Sequence, residues 1–156
     1  MEAWCKRLDY ILSRNCPACG ISWVGSVKKV YASKQRPVPP TKSYTSTDPA
    51  TSNGFGFKGH DGGIPVLVTT LTLLPNMNAW TVPRKGTIIK TRGSDSDLAH
   101  ELGHFVGYTP GPNGAPNGSV DGWPHSPNPS NVMFGQDTGG TDADPDYCKK
   151  VTSLAK

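Results

Sequence analysis

The chain has 156 residues and a mass of 16.6 kDa, which is enough for one domain with a modest core and too little for two. Only 35% of the residues are hydrophobic and 18% are charged, whereas 18 residues are Gly and 15 are Pro. This composition argues against a helical bundle or coiled coil and predicts short elements joined by long loops. No apolar run approaches the roughly 18 residues that a membrane-spanning helix needs, so we expect no membrane partner.

Charge is distributed unevenly along the chain, although the formal net charge is only +4. Residues 93–148 contain eight acidic side chains and no Lys or Arg, so every Lys and Arg lies before or after this segment. A nucleic-acid-binding protein would instead carry basic residues and aromatics along one contact face. The pattern therefore argues against a nucleic-acid partner and favours a segment that binds a cation or a basic partner.

The first predicted element is an amphipathic helix over residues 2–14, because the apolar residues there recur at helical spacing. Asn15 and Pro17 are expected to end it. Residues 21–31 are rich in β-branched and aromatic side chains, which predicts a strand. The stretch 33–60 is rich in Ser, Thr, Pro, Lys and Gly and is expected to be a long surface loop.

Residues 64–74 form the strongest predicted strand, with a nearly continuous run of apolar and β-branched side chains. Pro65 cannot donate a backbone hydrogen bond, which favours an edge position or the start of a strand. Residues 75–86 are expected to be a loop, and residues 87–91 a short strand.

A second helix is predicted to begin near Ser96, a residue type that commonly caps helices, and to end around Gly107. The stretch from 109 to 146 is rich in Gly, Pro, Asn and Asp, which predicts an irregular region. A last short helix is expected over residues 145–154. The sequence contains no internal repeat.

The cysteine count is even in a short chain, which favours two disulfides in an oxidising compartment. The sequence does not select among the three pairings of its four cysteines, Cys5, Cys16, Cys19 and Cys148. The pair Cys16 and Cys19 fits half of a zinc site or a redox motif, but neither the second half nor a βαβ pattern is present. Free thiols are the remaining alternative. We expect a secreted protein, although residues 1–15 lack the apolar stretch and cleavage site of a signal peptide.

The sequence His-Glu-Leu-Gly-His at positions 100–104 is the strongest functional motif. Because His100 and His104 are four residues apart, both imidazoles lie on one face of a helix and can reach one metal ion. Glu101 lies beside them, where a carboxylate can accept a proton from an activated water. With four His and two Glu in the chain, shuffling would produce this pattern about once in a thousand sequences. The structural alternative is a core helix with two hydrogen-bonded histidines.

Two histidines leave a catalytic zinc site one protein ligand short, because such a site needs three ligands and one open position. The candidates for the third ligand are His60, His125 and Asp121, although His60, among glycines and an aspartate, also fits a turn residue. His125 is followed by Ser126, and Met133 lies eight residues after it.

These residues resemble the motif of the metzincin clan of zinc endopeptidases, and within it the matrixins. That motif is His-Glu-x-x-His-x-x-Gly-x-x-His, followed by a methionine turn beneath the metal. Gly107 matches the glycine at which the family's helix breaks. In matrixins the third histidine is followed by Ser and precedes the turn methionine by eight residues, as His125, Ser126 and Met133 do here.

The spacing before the third histidine differs from the family pattern. His125 lies 18 residues after Gly107, whereas the family places its third histidine three residues after the glycine. The match therefore requires an insertion within residues 108–124, and closing such a loop costs only about 1–3 kcal/mol.

The resemblance implies zinc-dependent hydrolysis of peptide bonds. His100, His104 and His125 would bind Zn²⁺, and Glu101 would be the general base toward the metal-activated water. Asp121 is the alternative third ligand, since one small branch of the clan uses Asp there. The peptide or protein substrate would lie extended along an edge strand, by pairing with residues near 66–73.

The resemblance also implies an α+β fold: a small twisted mixed sheet with a packed helix, then the zinc-site helix, then an irregular C-terminal subdomain. We expect one metallopeptidase domain over residues 1–156, with an upper subdomain at about 1–107 and a lower one at about 108–156. The protein is expected to be a monomer. The alternatives are a non-catalytic zinc-binding or partner-binding module, and a secreted toxin or effector protease with a single protein target.

Overall fold

The computed structural model describes residues 2–17, 64, 66–69, 78–82, 84, 86–90, 93–110, 124–135 and 139–155. The elements in these ranges are helix α1 (Glu2–Asn15), strands β1 (Val66–Thr69), β2 (Ala79–Val82) and β3 (Gly86–Lys90), helices α2 (Asp97–Phe105) and α3 (Pro145–Thr152), and a 3₁₀ turn at Ser153–Ala155. Helices combined with a small sheet confirm the α+β class. The predicted strand at 21–31 and loop at 33–60 lie outside the described residues.

The three described strands form a sheet in the order β1-β3-β2. Strand β1 pairs with β3 in parallel, and β2 pairs with β3 antiparallel, so both directions are present as expected for a mixed sheet. The strand predicted at 64–74 is observed over Val66–Thr69, and the one predicted at 87–91 is observed over Gly86–Lys90.

Strand β2 corrects the prediction of a loop over 75–86. It is only four residues long, too short for a sequence pattern to show, and it is held in the sheet by antiparallel pairing with β3. The connection between the two strands passes through Arg84, which has a left-handed backbone conformation with φ of 57°. A left-handed residue is typical of short hairpin connections.

Helix α1 confirms the prediction for residues 2–14. Its apolar stripe is buried against the rest of the core, with Leu8 and Ile11 fully inaccessible to solvent. The core also contains side chains from β3, α2 and α3, namely Ile89, Leu98, Ala99, Leu102, Tyr147 and Val151. Helix α2, which carries the histidine motif, therefore packs against β2 and β3 of the sheet and against helices α1 and α3.

A disulfide joins Cys16, at the end of α1, to Cys148 in α3. Because Cys16 is bonded to Cys148, it cannot form the zinc or redox motif that was considered for Cys16 and Cys19. A second disulfide within the chain would have to join Cys5 to Cys19. Cys19 lies outside the described residues. A disulfide is compatible with an extracellular protein. In the described part of the chain, no helix is long and apolar enough to cross a membrane.

Replacing both Cys16 and Cys148 with Ser is expected to lower the free energy of unfolding by about 2–5 kcal/mol. The bridge spans 132 residues of sequence, so opening it greatly increases the freedom of the unfolded chain. Urea unfolding measures the effect. In the presence of a reductant, the variant and the wild type should unfold at the same urea concentration. If the two proteins are equally stable without a reductant, the pairing of Cys16 with Cys148 is wrong.

Candidate metal centre

Helix α2 begins and ends close to the predicted residues. Ser96 occupies the N-cap position, but its side chain makes no capping hydrogen bond. At the other end, Gly107 has a φ of 75°, and the N–H groups of Gly107 and Tyr108 donate to the carbonyls of His104 and Gly103 at 3.0 and 2.8 Å. This is a Schellman motif, which needs a left-handed residue at the position of Gly107. The glycine therefore ends the helix, as the sequence predicted.

The three predicted histidines lie together. The Nε2 atom of His104 is 3.1 Å from Nε2 of His100 and 3.2 Å from Nε2 of His125. Among the described residues these three form a group whose ligand atoms all lie within 4.8 Å of one another, which is close enough to hold one metal ion. Most of the proposed insertion, residues 111–123, lies outside the described residues. After this stretch, His125 lies next to the histidines of α2.

The protonation of these rings suits metal binding. The Nδ1–H group of His100 donates to the carbonyl oxygen of Val132 at 2.8 Å. Because a carbonyl can only accept, Nδ1 carries the proton and Nε2 presents its lone pair to the cluster. Burial lowers the pKa of His104 well below its usual value, and the neighbouring His100 and His125 lower it further. The ring is therefore neutral, as a metal ligand must be.

A tight turn at residues 131–134, here called the methionine turn, lies next to the three histidines and contacts His100 through Val132. Phe134 N–H donates to the Asn131 carbonyl at 3.0 Å, and the side-chain oxygen of Asn131 accepts from Met133 N–H at 2.8 Å. The Met133 side chain is fully buried. The turn is thus closed by its own hydrogen bonds.

The methionine turn contacts both segments that carry the histidines. The Val132 carbonyl orients the ring of His100, as described above. The Met133 carbonyl accepts from Ser126 N–H at 2.8 Å, which fixes the residue next to His125. One turn therefore sets the position of α2 relative to the segment that brings the third histidine.

Gly103 allows Met133 to approach the helix closely. A Cβ atom at position 103 would lie 2.8 Å from Cε of Met133 and even closer to its sulfur, and 3.1 Å from a ring carbon of Tyr147. Both neighbours are fully buried. The glycine inside the His-Glu-Leu-Gly-His motif is therefore required for packing beneath the histidines.

Ala in place of Gly103 is expected to destabilise the protein by about 1–3 kcal/mol, because the added methyl group overpacks the contact with Met133. Helix propensity alone predicts the opposite sign, a gain of about 1 kcal/mol. In a Met133→Ala background the clash with the methionine is absent and only the 3.1 Å approach to Tyr147 remains, so the same change should cost less stability than in the wild type. Urea unfolding of the wild type, Gly103→Ala, Met133→Ala and the double variant measures these changes in the free energy of unfolding. A gain of stability from Gly103→Ala in the wild-type background would refute this packing role.

Glu101, the predicted general base, lies one residue after His100 and is 6% exposed. Its Oε2 atom forms a short hydrogen bond with the hydroxyl of Thr81 in β2. The carboxylate is therefore anchored to the strand beside α2. Sequence reasoning missed Thr81, because it lies in the segment expected to be a loop.

Helix α3 fixes the chain where it leaves α2. Tyr108 is 1% exposed, and its hydroxyl donates to Asp144 at 2.5 Å. Burial and this carboxylate both raise the pKa of Tyr108, so the phenol stays protonated. Lys150 donates to the Gly107 carbonyl at 2.6 Å. The exit of α2 is therefore held by polar contacts with the helix that carries the disulfide.

Asp121, the alternative third ligand, and His60 both lie outside the described residues. Comparisons with protein-family models, curated proteins and solved structures give no match for this chain. The resemblance to metzincins therefore depends on the residues named above, and membership of that clan stays a prediction.

Proposed function

We propose that this protein is a zinc-dependent endopeptidase of the metzincin type. The observation that carries the proposal is that the Nε2 atoms of His100 and His104, on helix α2, and of His125, from a distant segment, converge, while Glu101 directly follows His100 on the helix. Two nitrogens that each lie about 2.0–2.1 Å from a tetrahedral zinc ion are about 3.3 Å apart. The separations of 3.1 and 3.2 Å are close to this value.

The residues present fit a catalytic zinc site. His100, His104 and His125 supply three nitrogen donors, the number that leaves a fourth position open. A zinc ion held by them would polarise the carbonyl of the scissile bond and lower the pKa of water at the open position toward about 7. Glu101 would accept the proton of the attacking water and deliver it to the leaving amine.

The substrate is proposed to bind along β2 rather than along residues 66–73. Strands β1 and β2 lie at the two edges of the three described strands, with β3 between them. The hydrogen bond from Thr81 to Glu101 places β2 beside the proposed base. An extended peptide that pairs with this edge would therefore carry its scissile bond past Glu101.

One observation favours a second function, that of a non-catalytic zinc-binding module. Glu101 is 6% exposed, which also suits a carboxylate whose role is to stabilise the contact between α2 and β2. Such a module would bind zinc and hydrolyse nothing.

Mass-spectrometric mapping of a mixed peptide library separates the two functions. The zinc-loaded wild type is compared with a Glu101→Gln variant of equal zinc content. Cleavage by the wild type alone is expected. If the wild type, with zinc bound, cleaves neither the library nor a panel of folded proteins, the proposal of a peptidase is wrong. Equal cleavage by both proteins would exclude Glu101 as the base.

A further inference from the structure

Two threonine hydroxyls are buried in the face of the sheet that packs against α2. Thr81 is 4% exposed and Thr87 is 1% exposed. They are cross-strand partners in β2 and β3, and their hydroxyl oxygens are 2.9 Å apart. The next pair on the same face is Ala79 with the fully buried Ile89. Apolar residues are the usual occupants of such positions, so two hydroxyls there need an explanation.

The two hydroxyls form a hydrogen-bonded chain that ends at Glu101. The Thr81 oxygen contacts Oε2 of Glu101 and lies 3.1 Å from the Glu101 backbone carbonyl. A hydroxyl has a single proton to donate, and an ionised carboxylate can only accept. Thr81 therefore donates toward Glu101, where Oε2 and the backbone carbonyl share its proton, and Thr87 donates to Thr81.

We infer that Thr81 is a positioning residue for Glu101, and that Thr87 supports it by orienting the Thr81 hydroxyl. The inference rests on the proposed function, in which Glu101 transfers the proton. A glutamate side chain has three rotatable bonds, and a hydrogen bond at one carboxylate oxygen restricts the last of them. The sheet thereby fixes the carboxylate relative to the helix that carries His100 and His104. Positioning of this kind raises the rate of the chemical step more than it strengthens substrate binding.

The chain offers a well-matched set of variants. Thr81→Val keeps the shape of the side chain and removes the hydroxyl. Thr81→Ser keeps the hydroxyl and removes only a methyl group. Thr87→Val removes the second donor and leaves the first in place.

Steady-state kinetics on a peptide cleaved by the wild type form the first measurement. Thr81→Val is expected to lower kcat by about 10- to 100-fold, the effect of one charge-assisted hydrogen bond, with KM within about threefold of wild type. Thr81→Ser should restore kcat to within about threefold, and Thr87→Val should cost about two- to fivefold. Zinc content, measured by metal analysis, should stay at the wild-type value in every variant, because none of them alters a histidine.

Carbon-13 NMR of the glutamate carboxyl groups is the second measurement, and it requires no activity. The chain has only two glutamates, Glu2 and Glu101, so labelling at the side-chain carboxyl gives two glutamate signals. Glu101→Gln assigns them. In the zinc-loaded protein at fixed pH, Thr81→Val is expected to move the Glu101 signal, whereas Thr81→Ser leaves it close to its wild-type position. The Glu2 signal is the internal control and should not move.

The two measurements separate failure of this inference from failure of the proposed function. If the wild type hydrolyses no substrate, the peptidase proposal fails, and an unmoved Glu101 signal in Thr81→Val would additionally refute the anchoring. If the wild type is active, wild-type kcat in Thr81→Val overturns the inference. A loss of kcat that Thr81→Ser does not restore would also overturn it, because the methyl group and not the hydroxyl would then matter. If Thr81→Val does not fold, kcat and the Glu101 carboxyl signal of Thr87→Val and Thr81→Ser test the inference instead.

Discussion

Glutamine in place of Glu101 is expected to lower kcat for peptide hydrolysis by about 100- to 10,000-fold, the usual contribution of a general base. The amide keeps the shape of the side chain, and its oxygen can still accept the hydrogen bond from Thr81. It cannot take up the proton of the attacking water. Zinc content should be unchanged, because the three histidines supply the ligands. Initial rates on a peptide identified from the library, with metal analysis of the same samples, measure both quantities.

The control for this prediction is Glu2→Gln, since Glu2 is the other glutamate of the chain and lies at the start of α1. It should retain wild-type kcat. If Glu101→Gln retains more than about a tenth of wild-type kcat with full zinc occupancy, another group is the base.

Removing the imidazole of His125 is expected to weaken zinc binding by about 100- to 1,000-fold and to abolish hydrolysis. A zinc site held by several ligands has a large binding free energy, and the loss of one of three protein ligands removes a substantial share of it. The His125 ring is 2% exposed, so Ala also leaves a cavity. His125→Gln, which fills more of that space, separates the loss of the ligand from the loss of packing. Competition with a chelator of known affinity gives the dissociation constants.

Asp121→Ala provides the matched comparison. With His125 as the ligand, this change should leave zinc affinity within about threefold of wild type, an effect smaller than about 1 kcal/mol. If instead Asp121→Ala weakens zinc binding as much as His125→Ala does, the assignment of the third ligand must be reversed. His60→Ala should be neutral in the same assay.

Local features of this protein could be predicted from sequence because they depend on spacing within one element. The apolar stripe of residues 2–14 predicts α1, and the structure confirms it. Histidines four residues apart on a helix share a face, so the spacing alone predicts that His100 and His104 can bind one metal ion together. The left-handed conformation of Gly107 follows from the same local logic, since a helix that must end sharply favours glycine at that position.

The rest required tertiary structure, because it depends on contacts between segments that are distant in sequence. Strand β2 is four residues long and exists by pairing with β3, so no periodicity within 75–86 could reveal it. Thr81 meets Glu101 across 20 residues of sequence, and Cys16 meets Cys148 across 132. The sequence by itself identified the three histidines that the structure brings together as a possible metal site. Folding decided which strand, which carbonyl and which hydroxyl hold them, since such contacts form only when the core brings the segments together.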